Sequence, residues 1–242
     1  VESPTPLAED RFKKPFRFRC TQCGACCADK TTLVNLTFWD LDRFQQQLDL
    51  DVDGLLDIIG FYVFETAPTP DQLKKMVLPP IPTEHGPAFM ALKKNPDGKC
   101  IYLNEDNRCK IYTARPDICR CFPFHFHSSP GLQPQPKLDI TMTIAEKAKQ
   151  YCPGFGLPAP FVKPKDWMTA GSDTIRHILS EHILIKKFTD AVNANKITPT
   201  ARNYLLTVVE LNEQMKESAA KKKVTYKVRV QEKIKKMSLE KK

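Results

Sequence analysis

Four of the nine cysteines fall within eight residues, Cys20 to Cys27 in "CTQCGACC", and the last two are adjacent. No other stretch restricts the fold as strongly. Thiolates this close repel one another when empty, so the spacing C-x2-C-x2-CC makes most sense around a cation. Two-residue gaps let one loop turn two sulfurs towards one ion or one iron cube, and Gly24 lets the backbone bend without a Cβ clash. Adjacent side chains leave in different directions, so one of Cys26 and Cys27 can serve a first site while the other reaches a second. A disulfide framework fits poorly. The cysteine count is odd, the polar N-terminus reads as no secretory signal, and neighbours in sequence rarely bridge because the intervening peptide is strained.

The other five cysteines are Cys100, Cys109, Cys119, Cys121 and Cys152. "KCIYLNEDNRCKIY" reads as a β-hairpin, two apolar runs joined by polar residues, with Cys100 and Cys109 on its strands. Thr113 to Cys119 reads as a short helix or turn. "FRFRC", "PAFMAL", "CFPFHFH" and "KLDITMTI" read as strands. Thr37 and Asp40 form a capping-box start for a helix whose face is Phe38, Leu41, Phe44 and Leu48. Asp53 to Phe64 reads as a second helix. Six prolines between residues 68 and 87 mark an irregular loop with one helical turn at Asp71 to Met76.

The chain divides into a lead-in (1–19), a cysteine-rich domain (20–156), a Pro- and Gly-rich linker (157–171), a helical hairpin (172–219) and a basic tail (220–242). In the hairpin, Ser172 caps a helix with a face of Ile175, Ile178, Leu179, His182 and Ile183. Thr198–Pro199 starts the next, which carries Leu205, Val208, Val209 and Leu211. The expected fold class is α+β: a small cysteine-rich core of short strands, followed by the helical hairpin and the tail.

The net charge of +9 is concentrated at one end. Residues 221–242 hold ten Lys or Arg against Glu232 and Glu240, leaving 27 basic and 26 acidic residues before them. A polyanionic partner (RNA, an anionic surface or an acidic protein) would therefore meet the tail. Val224, Tyr226, Val228 and Val230 give the tail a strand-like alternation, which otherwise reads as a solvated basic end. No apolar run approaches the ~20 residues needed to cross a bilayer, and the expected location is cytoplasmic.

The pieces "FRCTQCGACC", "CIYLNEDNRCKIYTARPDICRCFPF" and "YCPGFG", spanning residues 18 to 156, resemble the CxxCxxCC proteins, also called the YkgJ-like cysteine-cluster family, whose shared domain is described as zinc- or iron-chelating. Carried over by position, the resemblance implies metal binding by Cys20, Cys23, Cys26, Cys27, Cys100, Cys109, Cys119 and Cys152. Cys121 sits where relatives commonly have another residue and is held back as an accessory thiol. The hairpin and tail lie outside the resemblance.

Eight thiolates imply two four-ligand sites, or one multinuclear site. C-x2-C-x2-C is similar to the three-ligand run of bacterial ferredoxins, whose fourth ligand is remote, so an iron–sulfur cluster of the 4Fe–4S type is favoured. Zinc, which accepts four thiolates in a tetrahedron, is the alternative. Arg115 and Arg120, with Tyr112 nearby, are candidate cofactor-binding residues, because a guanidinium beside an anionic cluster donates to sulfur. Arg115 otherwise anchors its turn through carbonyls. His125 and His127 share a strand face, where packing or surface roles are the expectation; His85, His177 and His182 are given no role.

Phosphate loops, dinucleotide fingerprints, hydrolase elbows and H-E-x-x-H are missing from the sequence. Three functions are then in play: a cluster protein for electron transfer, sensing or assembly; a zinc module docking through the tail; and a methyltransferase. The last comes from the similar cysteine pattern of the flagellin lysine N-methylases, which implies S-adenosylmethionine chemistry, but no recognisable nucleotide loop accompanies it.

Overall fold

The computed structural model describes residues 17–66, 68–69, 76–129, 139–155, 158–162 and 164–239. The extended lead-in, apart from its last residues, and the helical turn expected at 71–76, apart from Met76, lie outside the described residues. The architecture is α+β, with two separate hydrophobic cores.

The larger core forms around helix α2 (Phe38–Leu48), which follows the one-turn helix α1 (Ala25–Ala28). The expected cap is present: the Asp40 carboxylate accepts the Thr37 backbone N–H at 2.9 Å and its hydroxyl at 3.0 Å. Leu41 and Phe44 point inward and are fully buried. Each such side chain contributes roughly 1.5–3 kcal/mol of transfer free energy. Helix α3 (Val52–Ile58) starts at Asp51, whose carboxylate accepts the Gly54 N–H at 2.8 Å. The helix expected as far as Phe64 stops at Ile58, and β1 (Ile59–Tyr62) continues the chain. β-branched and aromatic residues there pair with β3, so sheet pairing overrides helix propensity. β1, β2 (Ile81–Thr83) and β3 (Gly86–Leu92) form an antiparallel sheet in the order β1-β3-β2. "PAFMAL" is thus the central strand.

The hairpin expected at "KCIYLNEDNRCKIY" is reduced to a short antiparallel turn: Leu103 and Cys109 bridge, the Asn104 N–H donates to the Arg108 carbonyl at 2.9 Å and the Lys110 N–H to the Tyr102 carbonyl at 2.8 Å, so Cys109 lies on it and Cys100 does not. Two bridges each close one of two consecutive tight turns, Lys94↔Cys100 around Asn95–Gly98 and Leu103↔Cys109 around Asn104–Asn107. Turn chemistry at Asn104 and Asn107 outweighs the apolar alternation: Asn104 Oδ1 takes the Arg108 N–H at 2.6 Å, and Asn107 adopts φ 58°. Each bridge sets one cysteine in place.

Helix α4 (Asp117–Cys121) leads to β4 (Phe124–Ser129), which pairs with β5 (Asp139–Ile144), and α5 (Glu146–Tyr151) delivers Cys152. Among its described residues, 17–20, "FRFRC" forms single bridges, Arg17↔Phe161 and Phe18↔Phe155. Phe18, Phe124, Met142 and Val162 make the smaller core, with Phe155, Trp167 and Cys152 packed on it.

Helix α6 (Pro164–Asn193) begins inside the expected linker, eight residues before Ser172. Its buried face is Ile175, Glu181, Ile185 and Phe188, whereas Ile183, expected on that face, is 48% exposed. Helix α7 (Ala201–Leu239) starts just after Thr198–Pro199; Thr200 Oγ1 accepts the Asn203 N–H at 3.0 Å, and Glu84 accepts the Ala201 N–H at 2.8 Å. Tyr204, Leu205 and Val208 insert into the larger core. The strand alternation read in the tail is overruled, since α7 continues through it to Leu239. Extending an existing helix avoids the nucleation cost. Among the described residues, no helix is long and apolar enough to cross a membrane.

Candidate metal centre

Between the two cores lies a cavity of about 820 Å³. Cys20, Cys23, Cys26, Cys27, Cys100, Cys109, Cys119 and Cys152 all line it, and Cys121 does not. Cys121 is buried on the far side of α4, 3.1 Å from Thr174 Oγ1. The sulfurs line walls. Among the described residues, no three Cys, His, Asp or Glu side chains stand grouped as a ready-made single-ion site.

Local chain geometry explains the convergence. Gly24 adopts φ 72°, and a Cβ there would lie 2.1 Å from the Asn107 carbonyl oxygen. Glycine is required on both counts. This close approach docks the Asn104–Asn107 turn on the N-terminal knot. From Gly24 the chain enters α1, and the Gly24 carbonyl accepts the N–H groups of Cys27 and Ala28 at 2.8 and 2.9 Å. The Cys100 N–H then donates to the Cys27 carbonyl at 2.9 Å, which fixes the second cysteine segment to the first. On the other side, the Arg19 N–H donates to the Gly154 carbonyl at 3.3 Å, next to the Phe18↔Phe155 bridge. Cys20 and Cys152 are held near each other by that pairing.

Within the cavity the thiols perturb one another. Hydrogen bonding to Cys100, Cys109 and Cys26 pushes the Cys27 thiol far up, so it keeps its proton. The same bonds from Cys27 bring Cys26 and Cys100 down to about 7 and Cys109 to about 6. Arg115 adds a second, electrostatic lowering at Cys26 and Cys109. Burial, then the charges of Cys26, Cys100 and Cys109, raise Cys119. Burial also raises Cys152, with Cys23, Cys20 and Cys26 as its charged neighbours. The direction of these shifts follows from sulfurs that share hydrogen bonds and burial in one place.

Arg115 lines the cavity, with its guanidinium 3.8 Å over the Tyr112 ring and its Nε donating to the Tyr112 carbonyl at 3.0 Å. It therefore both anchors its turn and faces the sulfurs. Arg120 is exposed and is not among the residues lining the cavity; its position on α4 points it away. His125 lines the cavity, while His127 lies 3.2 Å from Thr143 Oγ1.

Sequence reasoning missed the polar network that holds α4 in place. Asp40 Oδ1 accepts the Asp117 N–H and Arg43 Nη1, each at 2.9 Å. Arg43 also donates to Asp117 Oδ1 at 2.6 Å and to the Arg115 carbonyl at 2.9 Å. Asp117 Oδ2 is 2.5 Å from His177 Nδ1, and the His177 ring stacks on Trp39 at 4.9 Å. Asp40 was legible only as a cap. A second set ties α5 to the knot: Lys147 Nζ donates to Asp29 Oδ2 at 2.8 Å and to Thr31 Oγ1 at 2.6 Å. Burial opposes ionisation of Asp29, but Lys147, Thr32 and Thr31 outweigh it and hold the carboxyl well below its usual range.

The cysteine-lined region coincides with a family match. The family model CxxCxxCC, described as "Putative zinc- or iron-chelating domain", matches residues 19–153, over half of the chain. The chain belongs to this family. The matched segment contains all eight cavity cysteines, and α6 and α7 lie beyond it. Neither a curated protein nor a solved structure matches the chain.

Proposed function

We propose that the chain is a cysteine-cluster metal protein that holds iron as iron–sulfur clusters of the 4Fe–4S type, serving electron transfer, sensing or assembly. The observation that carries this reading is the gathering of eight cysteines from four stretches of chain on one cavity, with the ninth kept out. The donor set is all sulfur, which suits iron–sulfur and zinc alike. Two features favour the cluster. A zinc ion holds its thiolates at ~2.3 Å and draws four sulfurs to a point, whereas a cubane takes each sulfur on a different iron and needs room. Here the sulfurs line the walls of an 820 Å³ cavity. Arg115 faces those sulfurs and would offset the negative charge of a bound cluster.

The basic tail fits RNA, an anionic surface or an acidic protein at residues 221–242, and contacts to phosphates would make such binding steeply salt-dependent. Deleting 221–242 should flatten that salt response.

Anaerobic purification followed by iron, zinc and acid-labile sulfide analysis and visible spectroscopy tests the main reading. A brown protein with matched iron and sulfide is the expected result. A colourless protein containing zinc alone would replace it with a structural zinc module.

A further inference from the structure

Asp29 closes α1 two residues after Cys27, and only 10% of its side chain is exposed. Its carboxylate collects donors from separate parts of the chain. Thr31 donates to Oδ1 through its backbone N–H at 2.9 Å and its hydroxyl at 2.8 Å, and the Thr32 hydroxyl donates to Oδ2 at 2.7 Å. These local bonds, typical of an aspartate at a turn, fix the direction of the carboxylate. Two further donors come from α5: Lys147 Nζ at 2.8 Å and, more distantly, the Tyr151 hydroxyl at 3.4 Å, both to Oδ2. Tyr151 immediately precedes Cys152, so the helix that delivers Cys152 rests on this one carboxylate near both of its ends.

A third segment meets the Asp29 backbone. Lys94 Nζ donates to the Asp29 carbonyl at 2.6 Å and to the Gly98 carbonyl at 3.0 Å, and Lys94 is the bridge partner of Cys100. The stretches that carry Cys27, Cys100 and Cys152 are thus tied to a single residue. Cys119 is the exception, because α4 hangs instead from Asp40 and Arg43. Lys147 is 44% exposed, so its ion pair with Asp29 contributes at most about 1 kcal/mol to folding. Stability is a weak reason for such a hub. Its place is a better one, since Asp29, Thr32, Lys147 and Tyr151 all line the cavity.

We propose that Asp29 is a positioning residue: it sets how far the segments of Cys27, Cys100 and Cys152 stand apart, and through that spacing it makes the cavity select a cluster over a single zinc ion. A cubane takes each sulfur on a different iron, so it needs sulfurs held apart. Zinc draws four sulfurs to ~2.3 Å from one point, which requires the walls to close in. With the bonds of Asp29 in place, α5 cannot approach the knot independently of the Cys100 turn. Without them, Cys152 moves with a loosened α5, and the walls adjust to whichever ion arrives.

This inference rests on the cluster reading proposed above, and one experiment separates the two. The full wild-type chain, Asp29→Ala and Lys147→Met are purified anaerobically from cells supplied with both iron and zinc. Iron, zinc and acid-labile sulfide are measured, and the alkylation rate of each cysteine is followed in the same samples. Loss of a group that orients metal ligands lowers the iron-to-zinc ratio by about tenfold in Asp29→Ala, and by less in Lys147→Met. Cys152 should be alkylated faster in both variants, while Cys119, held by the Asp40 network, keeps its wild-type rate. A wild-type iron-to-zinc ratio in both variants overturns the proposal, whatever the labelling, and leaves metal binding standing. If Asp29→Ala loosens the whole chain, Cys119 speeds up together with Cys152. Lys147→Met, which alters one half-exposed side chain, then carries the test, and an unchanged ratio there overturns the proposal. A wild-type chain that holds zinc alone, or no metal, overturns the cluster reading and this inference with it.

Discussion

Around Phe44, Phe188 and Leu205, helices α2, α6 and α7 and the three-stranded sheet bury apolar side chains completely. Around Cys27 the chain runs through turns and single bridges, and the space between its walls is a cavity lined with thiols. The helical body is held by apolar burial that requires nothing from outside the chain. The sulfur-lined seam has two cores beside it but no core of its own, so on the proposed function its order should depend on the metal its sulfurs hold. The polar network of Asp40, Arg43, Asp117 and His177 joins the regions, since it anchors α4, the carrier of Cys119, to α2.

Several substitutions should break or sharpen this contrast. The largest effect is expected from Gly24→Ala, which combines a positive φ with a Cβ 2.1 Å from the Asn107 carbonyl. Most of the bound metal should be lost, measured by elemental analysis, while far-ultraviolet circular dichroism keeps the helical signal. Unchanged metal content would mean that the knot does not need this docking.

Asp40→Ala strikes the joint itself. It strips a fully buried carboxylate from Thr37, Arg43 and Asp117 and leaves Arg43 without one of its partners. Destabilisation of about 3–5 kcal/mol is expected in urea unfolding, as for other broken buried pairs. Cys119 should become more reactive to alkylation in the same variant.

Glu181 probes the body alone. It is buried, accepts the Phe38 N–H at 2.7 Å and is hydrogen-bonded to Tyr204. Burial pushes its carboxyl up from 4.5 to about 7. A raised folded-state value means that folding takes up a proton between pH 4.5 and 7, so this contribution declines as pH rises through that window. Glu181→Gln should match wild type near pH 4 and exceed its stability at pH 8 by about 3 kcal/mol. A pH-independent difference would show that the carboxyl does not titrate in that window.

Arg202→Ala, which removes a solvent-exposed pair with Asp53, should leave both Tm and metal content unchanged.

The contrast also decides what could be read from the sequence. The Thr37–Asp40 cap, the Phe38–Leu41–Phe44 face, the strand at "PAFMAL" and, of "KLDITMTI", the described part Asp139–Ile144 follow from local rules, and the fold contains them. The spacing of the knot pointed to Cys20, Cys23, Cys26 and Cys27, and the family resemblance implied the other four cysteines that line the cavity. Tertiary pairing was not legible. Ile59 to Tyr62 became a strand because β3 lies beside it, and the run from Cys100 to Cys109 became turns because the knot at Gly24 receives Asn107. Nothing local marks Asp117 or His177 either, since their partners lie about 60 to 80 residues away.

Hydrogen exchange on the anaerobically purified protein, before and after chelation, tests the dependence of the seam on metal most directly. Peptides covering residues 17–29, 99–121 and 145–155 should lose protection on metal removal, while those covering 38–58 and 175–212 keep theirs. Equal protection in both states throughout the chain would contradict the account.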